Sequence, residues 1–330
     1  MGVASVFHEM ERALPKVDRT SVDSGKPCSA VQASVLKALA YFDNFQYPLR
    51  VDEIVRFGSS VLLCPTMVRD ALEDLRKKSV VYECDGFWGL TKVKEAVSIR
   101  RSAEDRAEAR MPKALKMSRR IGRFPFVRAV FISGSMSKGC LAPDGDIDFF
   151  VITTPGRLWV ARTMLILYKK VFLLNSRKDF CVNYFIDTDH LTIEDRNRFT
   201  ATEVITLMPM YGNGTTEAFF QRNAWAFRMH PGASAPRSRE VLIGKGSTKG
   251  ILERLLSGRI GERLDGLFME LTWRRWKRKF DDLDARSFEL ALRTRTYVSK
   301  HHPRNFQKRV LDGYQQRIHT LEKSIGAPLT

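Results

Sequence analysis

Acidic side chains are in deficit in this chain: 37 Asp and Glu stand against 55 Lys and Arg in 330 residues, a formal net charge of +18. A surface that cationic attracts phosphate, whether on nucleotides, nucleic acid or an acidic membrane, and charge by itself does not choose among them. Cysteine is scarce too. Cys28, Cys64, Cys84, Cys140 and Cys181 lie far apart and form no CxxC pair, which argues against a disulfide framework or zinc site and for a reducing, cytoplasmic setting. Long hydrophobic runs are missing: no window approaches about 18 apolar residues. Met1 to Thr20 interleaves acids, bases and a proline, so neither a signal peptide nor a membrane partner is expected. Val6 stands where a myristoylation pattern needs Ser or Thr. What the chain does have is a normal hydrophobic share, 44%, enough for two or three modest cores in a soluble multi-domain protein.

Residues 1–28 show no periodicity and read as a flexible leader. From Ser29 the pattern sharpens. Val31, Val35, Leu36 and Leu39 recur at helical spacing, Val51 to Phe57 makes a short second helix, and Pro65 opens a third with Val68, Ala71, Leu72 and Leu75 on one face. Two β-prone runs then flank Asp85-Gly86, a strong hairpin signal. Helices followed by a hairpin predict a winged-helix-like domain over 29–93. Residues 94–122 read as a basic linker helix with a break or kink at Pro112. Strand, helix and strand then alternate through a core over 123–192, with strands at Val127 to Ser133, Ile147 to Thr153 and Phe180 to Ile186. Residues 193–330 read as a helical, basic C-terminal region, which from Arg237 carries 21 basic against 11 acidic side chains. The predicted fold is α/β (α+β), a core with a mixed sheet between a winged-helix-like domain and a helical region.

The chemistry concentrates between Ala129 and Ile152. An apolar strand ends in Gly134-Ser135, ten residues intervene, and a second apolar strand begins at Asp146-Ile147-Asp148. Residues two apart on a strand point the same way, so Asp146 and Asp148 place two carboxylates side by side. Such a pair repels itself unless a cation sits against it. Hard oxygen donors favour Mg²⁺ (or Mn²⁺), which takes one or two carboxylates and completes its shell with substrate phosphates. Gly134 lets the backbone come close to a phosphate, and the Ser135 hydroxyl adds a donor. Lys138 and Arg162 are further candidates for phosphate contact. Together these groups suit in-line attack on an α-phosphate, in which positioning and electrostatics do most of the work.

In Gly134, Ser135, Asp146, Asp148 and Phe149 the sequence resembles the DNA polymerase beta-type nucleotidyltransferase superfamily, whose pattern is apolar-Gly-Ser, roughly nine to thirteen residues, then Asp-apolar-Asp-apolar. Ser133 departs from it, standing where many members are apolar. The resemblance implies a nucleotidyltransferase core that moves a nucleoside monophosphate from a nucleoside triphosphate such as ATP to a hydroxyl acceptor, with magnesium held by Asp146 and Asp148. It also implies a third carboxylate on a later strand. The matching position is Asn183, and alternation puts Asp179, Cys181, Asn183, Phe185 and Asp187 on one side of that strand. Three readings stay open: Asp179 or Asp187 supplies the carboxylate from a strand end, Asn183 ligates as a neutral oxygen, or the core binds nucleotide without turnover.

The flanks keep two other functions open. One is a DNA-binding regulator that senses nucleotide through a degenerate core. The other is a nucleic-acid-binding or assembly factor acting through the basic C-terminal region, where Trp273-Arg-Arg-Trp-Lys-Arg-Lys279 is the densest cluster. Acidic residues on the third helix, Asp70, Glu73 and Asp74, oppose a phosphate backbone. Trp159 and Trp225 read as core anchors.

Overall fold

The computed structural model describes residues 28–59, 61–176, 178–212, 214–236, 247–302 and 306–329. The leader therefore lies outside the described residues, save Cys28.

Helix α1 (Ala30–Asp43) starts at Ser29, whose hydroxyl accepts from the Gln32 amide while the Gln32 side chain accepts from the Ser29 amide, a reciprocal cap that satisfies two otherwise orphaned donors. Helices α2 (Val51–Phe57) and α3 (Pro65–Lys77) follow, then strands β1 (Tyr82–Cys84) and β2 (Phe87–Gly89). Cys84 pairs with Phe87, and Asp85 and Gly86 both have positive φ, as a two-residue hairpin turn requires. Helix α4 (Lys94–Gly122) runs through Pro112 without a break.

The remaining strands form one mixed sheet. They are β3 (Val127–Ser133), β4 (Asp148–Thr153), β5 (Cys181–Asp187), β6 (Met208–Tyr211), β7 (Thr294–Arg295) and β8 (Val298–Lys300), in the order β6-β3-β4-β5-β8-β7. Only β4 and β5 run parallel, and helix α5 (Leu158–Phe172) makes the crossover between them. The stretch from residue 193, read as helical, thus also contributes strands β6, β7 and β8 among the described residues. Each is short, and β6 contains Pro209, so none shows the alternation that marks a strand. The helices in this stretch are α6 (Arg198–Thr206), α7 (Thr215–Arg222), α8 (Ala224–Met229), α9 (Ser247–Leu255), α10 (Arg259–Lys279), α11 (Ala285–Ala291) and α12 (Phe306–Ile325).

Strand alternation sorts the core. Ala129, Phe131, Phe150 and Ile152 face one way, into a cluster continuous with α1, α2, α3, α6, α7, α8 and α12. Val130, Ile132, Phe149 and Val151 face the other, against α4 and α5. The N-terminal helices therefore share a core with the first face of the sheet. Arg100 of α4 ties them further: its side chain, 2% exposed, lies 2.6 Å from Glu53 and 3.0 Å from Glu104 and sits 3.9 Å from the Tyr47 ring centre. It also donates to the carbonyl of Pro48. A charge this buried is tolerable because two carboxylates, a carbonyl and an aromatic face offset it, Glu104 also neutralising the neighbouring Arg50.

Removing it leaves Glu53 without its partner, so Arg100→Ala is expected to destabilise the fold by about 3 kcal/mol. Denaturant titration followed by tryptophan fluorescence measures this, and Arg100→Lys is expected to recover part of the loss.

Candidate functional site

The strand pair β3 and β4 delivers the motif to one place. Ser133 pairs with Asp148, so the turn leaving β3 passes directly over the start of β4. Gly134 has φ +69°, and a Cβ there would sit 2.6 Å from Asp148 Oδ2. Only glycine permits this approach. The turn continues as one 3₁₀ turn, Met136–Lys138, and ends at Gly139 with φ +72°. Both the Ser137 hydroxyl (2.9 Å) and Lys138 Nζ (3.1 Å) donate to the Gly134 carbonyl. The Ser135 hydroxyl, by contrast, is buried and has no hydrogen-bond partner. An orphaned donor at this point in the turn is an unspent interaction.

Asp148 is the first residue of β4, and Asp146 precedes the strand. Ile147 between them is fully buried against α4 and α5, while Asp146 and Asp148 are half-buried. Alternation puts Asp148 on the side of Phe150 and Ile152, towards the N-terminal helices. Burial pushes its carboxyl up to about 7, and the negative charges of Asp146 and Glu203 push the same way, against hydrogen bonds from Cys181 and Asn183. The two carboxylates are hard oxygen donors beside an unpartnered hydroxyl, a set that fits Mg²⁺ bound together with a phosphate chain. Among the described residues, no three His, Cys, Asp or Glu side chains gather closely enough to hold a metal by themselves.

Strand β5 places the candidate third ligands, and a bulge decides the outcome. Phe149 pairs with Val182 but Phe150 pairs with Tyr184, which leaves Asn183 as the extra residue. Val182 and Phe185 consequently pack into the same cluster while Tyr184 and Ile186 face the other core. The single side expected from strict alternation is broken. Asn183 stays with Asp148, its amide Nδ2 donating to Asp148 Oδ1 at 2.9 Å. The alternation is inverted beyond it. Asp187 lies at the far end of β5, opposite Thr153, where it accepts from the amides of Asp189 and His190. Asp179 precedes the strand and pairs with Arg110 and Lys113 of α4. Neither aspartate reaches Asp148. Arg162 does not point there either: its guanidinium lies over the rings of Trp159 and Trp276, at 5.4 and 4.9 Å.

A carboxylate that sequence reasoning missed does approach. Glu203 of α6 holds Lys138 Nζ at 2.7 Å and contributes to the charge felt by Asp148. It sits on a helix far along the chain, and no spacing rule connects it to the Gly-Ser turn. Tyr47, from the loop between α1 and α2, donates to the Lys138 carbonyl at 3.0 Å and so braces the turn from the N-terminal side. On the β6 side of the turn lies an open cavity of about 420 Å³ lined by Arg56, Ser137, Thr206, Met208 and Ser234.

No protein-family model matches the chain, and searches of curated proteins and of solved structures return no match.

In the densest part of the basic C-terminal region Arg274, Arg275, Lys277, Arg278 and Lys279 are exposed, whereas the tryptophans among them make structural contacts. Trp276 is buried against Trp159 and His301, and Trp273 carries Lys277 over its ring at 4.7 Å. Leu264 and Phe268 pack on Val160 and Phe126, whereas Leu267 and Leu271 are exposed. Trp159 and Trp225 are both buried.

Two outcomes are expected. Gly134→Ala combines an unfavourable left-handed backbone with a clash on Asp148, and should cost about 1–2 kcal/mol from the backbone alone, measured by thermal unfolding. The second concerns pH with divalent ions chelated. Asp148 keeps its proton to a higher pH in the folded than in the unfolded chain, so its contribution is full below about pH 4 and lost as pH rises towards 7. Asp148→Asn should therefore be more stable than the parent protein above pH 7, by up to a few kcal/mol at about 1.4 kcal/mol per pH unit, with the difference gone near pH 4.

Proposed function

We propose that the chain is a nucleotidyltransferase of the polymerase beta type, transferring a nucleoside monophosphate from a nucleoside triphosphate to a hydroxyl acceptor with release of pyrophosphate. The observation that carries this reading is the packing of Gly134 against Asp148, with the buried Ser135 hydroxyl beside it unpaired. That contact sets the Gly-Ser turn against the Asp148 carboxylate, with Asp146 two residues away, which supports reading the turn as a phosphate cradle beside a metal site.

Each residue then has a part. Asp146 and Asp148 present oxygens to Mg²⁺ or Mn²⁺, which when bound neutralises phosphate charge and makes the attacking hydroxyl easier to deprotonate. Positive charge at the site would favour the ionised form of Asp148, which burial, with a smaller push from Asp146 and Glu203, disfavours in the free protein. Gly134 leaves room for the triphosphate at the turn, and the Ser135 hydroxyl donates to a phosphate oxygen. Lys138, already at the Gly134 carbonyl, supplies positive charge to the phosphates. Asn183 fixes Asp148 Oδ1 through its amide. Three helices and a hairpin before the core make the winged-helix-like reading of the N-terminal segment part of the same proposal, with a bracing role through Tyr47.

The test is to incubate the protein with each labelled nucleoside triphosphate and Mg²⁺ or Mn²⁺, and to resolve pyrophosphate and nucleotidylated products. Asp146→Asn with Asp148→Asn is expected to lower turnover at least about a hundredfold while the circular dichroism spectrum is unchanged. Triphosphate binding without any pyrophosphate release from the parent protein would instead support nucleotide sensing.

A further inference from the structure

The proposed site has two carboxylates where three are usual for this chemistry, and the strand that should bring the third brings Asn183. The missing charge is nevertheless close by. Glu203, from one turn before the end of α6, is half-buried, with a side chain 27% exposed, and is bound to Lys138, whose side chain is 13% exposed. The same Lys138 Nζ reaches the Gly134 carbonyl at 3.1 Å, and Gly134 is the residue against which Asp148 Oδ2 packs. One short chain of contacts thus runs Glu203, Lys138, Gly134, Asp148.

A protein that gathers carboxylates for a metal must manage their repulsion when no metal is bound. Here an ammonium group on the turn fills that need. Lys138 is compact, flexible and strongly charged, so it can exchange one anionic partner for another without changing the backbone. An incoming triphosphate offers it oxygens of higher charge than a single carboxylate. Glu203, once released, is an anionic oxygen donor on the same side of the sheet as Asp148. Helix α6 is firmly held, with Thr202 and Thr206 buried and the Asn197 side chain capping its first turn. The side chain can therefore move while its anchor stays in place.

We propose that Glu203 is the third metal-site carboxylate and that Lys138 is its internal counter-ion, exchanged for the phosphates when a metal-bound triphosphate arrives. The inference rests on the nucleotidyltransferase reading and adds to it a residue from a helix instead of a strand. It also accounts for the absence, among the described residues, of a preformed group of three metal-ligating side chains: the third carboxylate is held by a lysine until substrate binds.

Mn²⁺ binding followed by electron paramagnetic resonance tests it without relying on turnover. The parent protein is titrated with Mn²⁺ alone and with Mn²⁺ plus a non-hydrolysable ATP analogue, repeated with the analogues of the other three bases. Lys138→Met is expected to bind Mn²⁺ alone about tenfold more tightly than the parent, because Glu203 is free, and to bind the analogue more weakly. Glu203→Gln should weaken Mn²⁺ binding in the presence of analogue about tenfold or remove one ion, and Glu203→Asp should restore part of it. A purely structural ion pair predicts the opposite pattern: both variants lose stability on thermal unfolding and neither changes Mn²⁺ affinity, which overturns the inference. Asp146→Asn with Asp148→Asn separates the two levels. If the parent binds Mn²⁺ with analogue, this double variant abolishes it and the Lys138 and Glu203 variants leave it unchanged, only the exchange is wrong. If the parent binds none, the nucleotidyltransferase reading falls and the exchange falls with it.

Discussion

The close approach of the Gly134 backbone to the Asp148 carboxylate constrains everything around it. A side chain at 134 would occupy the space that Asp148 Oδ2 now fills, and the positive φ at Gly134 turns the chain over the start of β4 instead of past it. From that contact follow the position of Ser135, the direction of the 3₁₀ turn and the place where Lys138 can reach. The cost is electrostatic: burial first, and the nearby carboxylates second, push the Asp148 carboxyl well above the ordinary range.

Two cores hold the contact from either side. Ile147, buried against α4 and α5, anchors the peptide between the two aspartates, while Phe150 and Ile152 anchor the following residues against the N-terminal helices. The turn is held as well, through Tyr47 to the Lys138 carbonyl, and Tyr47 in turn lies under the Arg100 guanidinium. The cluster of buried Arg100 with half-buried Glu53 and Glu104 therefore links the placement of the first helices to the placement of the turn over residues 134–138. Burying these charges is expensive, and the compensation is a fixed geometry where two parts of the chain meet.

The large positive charge is divided between structure and surface. Arg100, Arg157 and Arg293 spend their charge on buried carboxylates or carbonyls, and Arg162 spends its own on two tryptophan rings. Much of α10 remains exposed and basic, with Leu267 and Leu271 open beside it. Net charge counted from composition therefore overstates what any one partner meets.

What the sequence determined by itself was local. The first helices, the Asp85-Gly86 hairpin, strands β3 and β4, and the pairing of Gly134-Ser135 with Asp146 and Asp148 follow from periodicity, turn chemistry and the alternation of a strand, all of which act over a few residues. Tertiary structure decided the rest. The bulge at Asn183 depends on how β5 aligns with β4, and it sends Asp187 away by reversing the alternation that sequence alone had to assume. Asp179 is taken by Arg110 and Lys113, from a helix that passes nearby only in the folded chain. Strands β6, β7 and β8 are too short to carry a period, and they pair because the sheet offers them an edge. Glu203 reaches Lys138 because α6 packs against the shared core, a fact of folding that no spacing between residues 138 and 203 encodes.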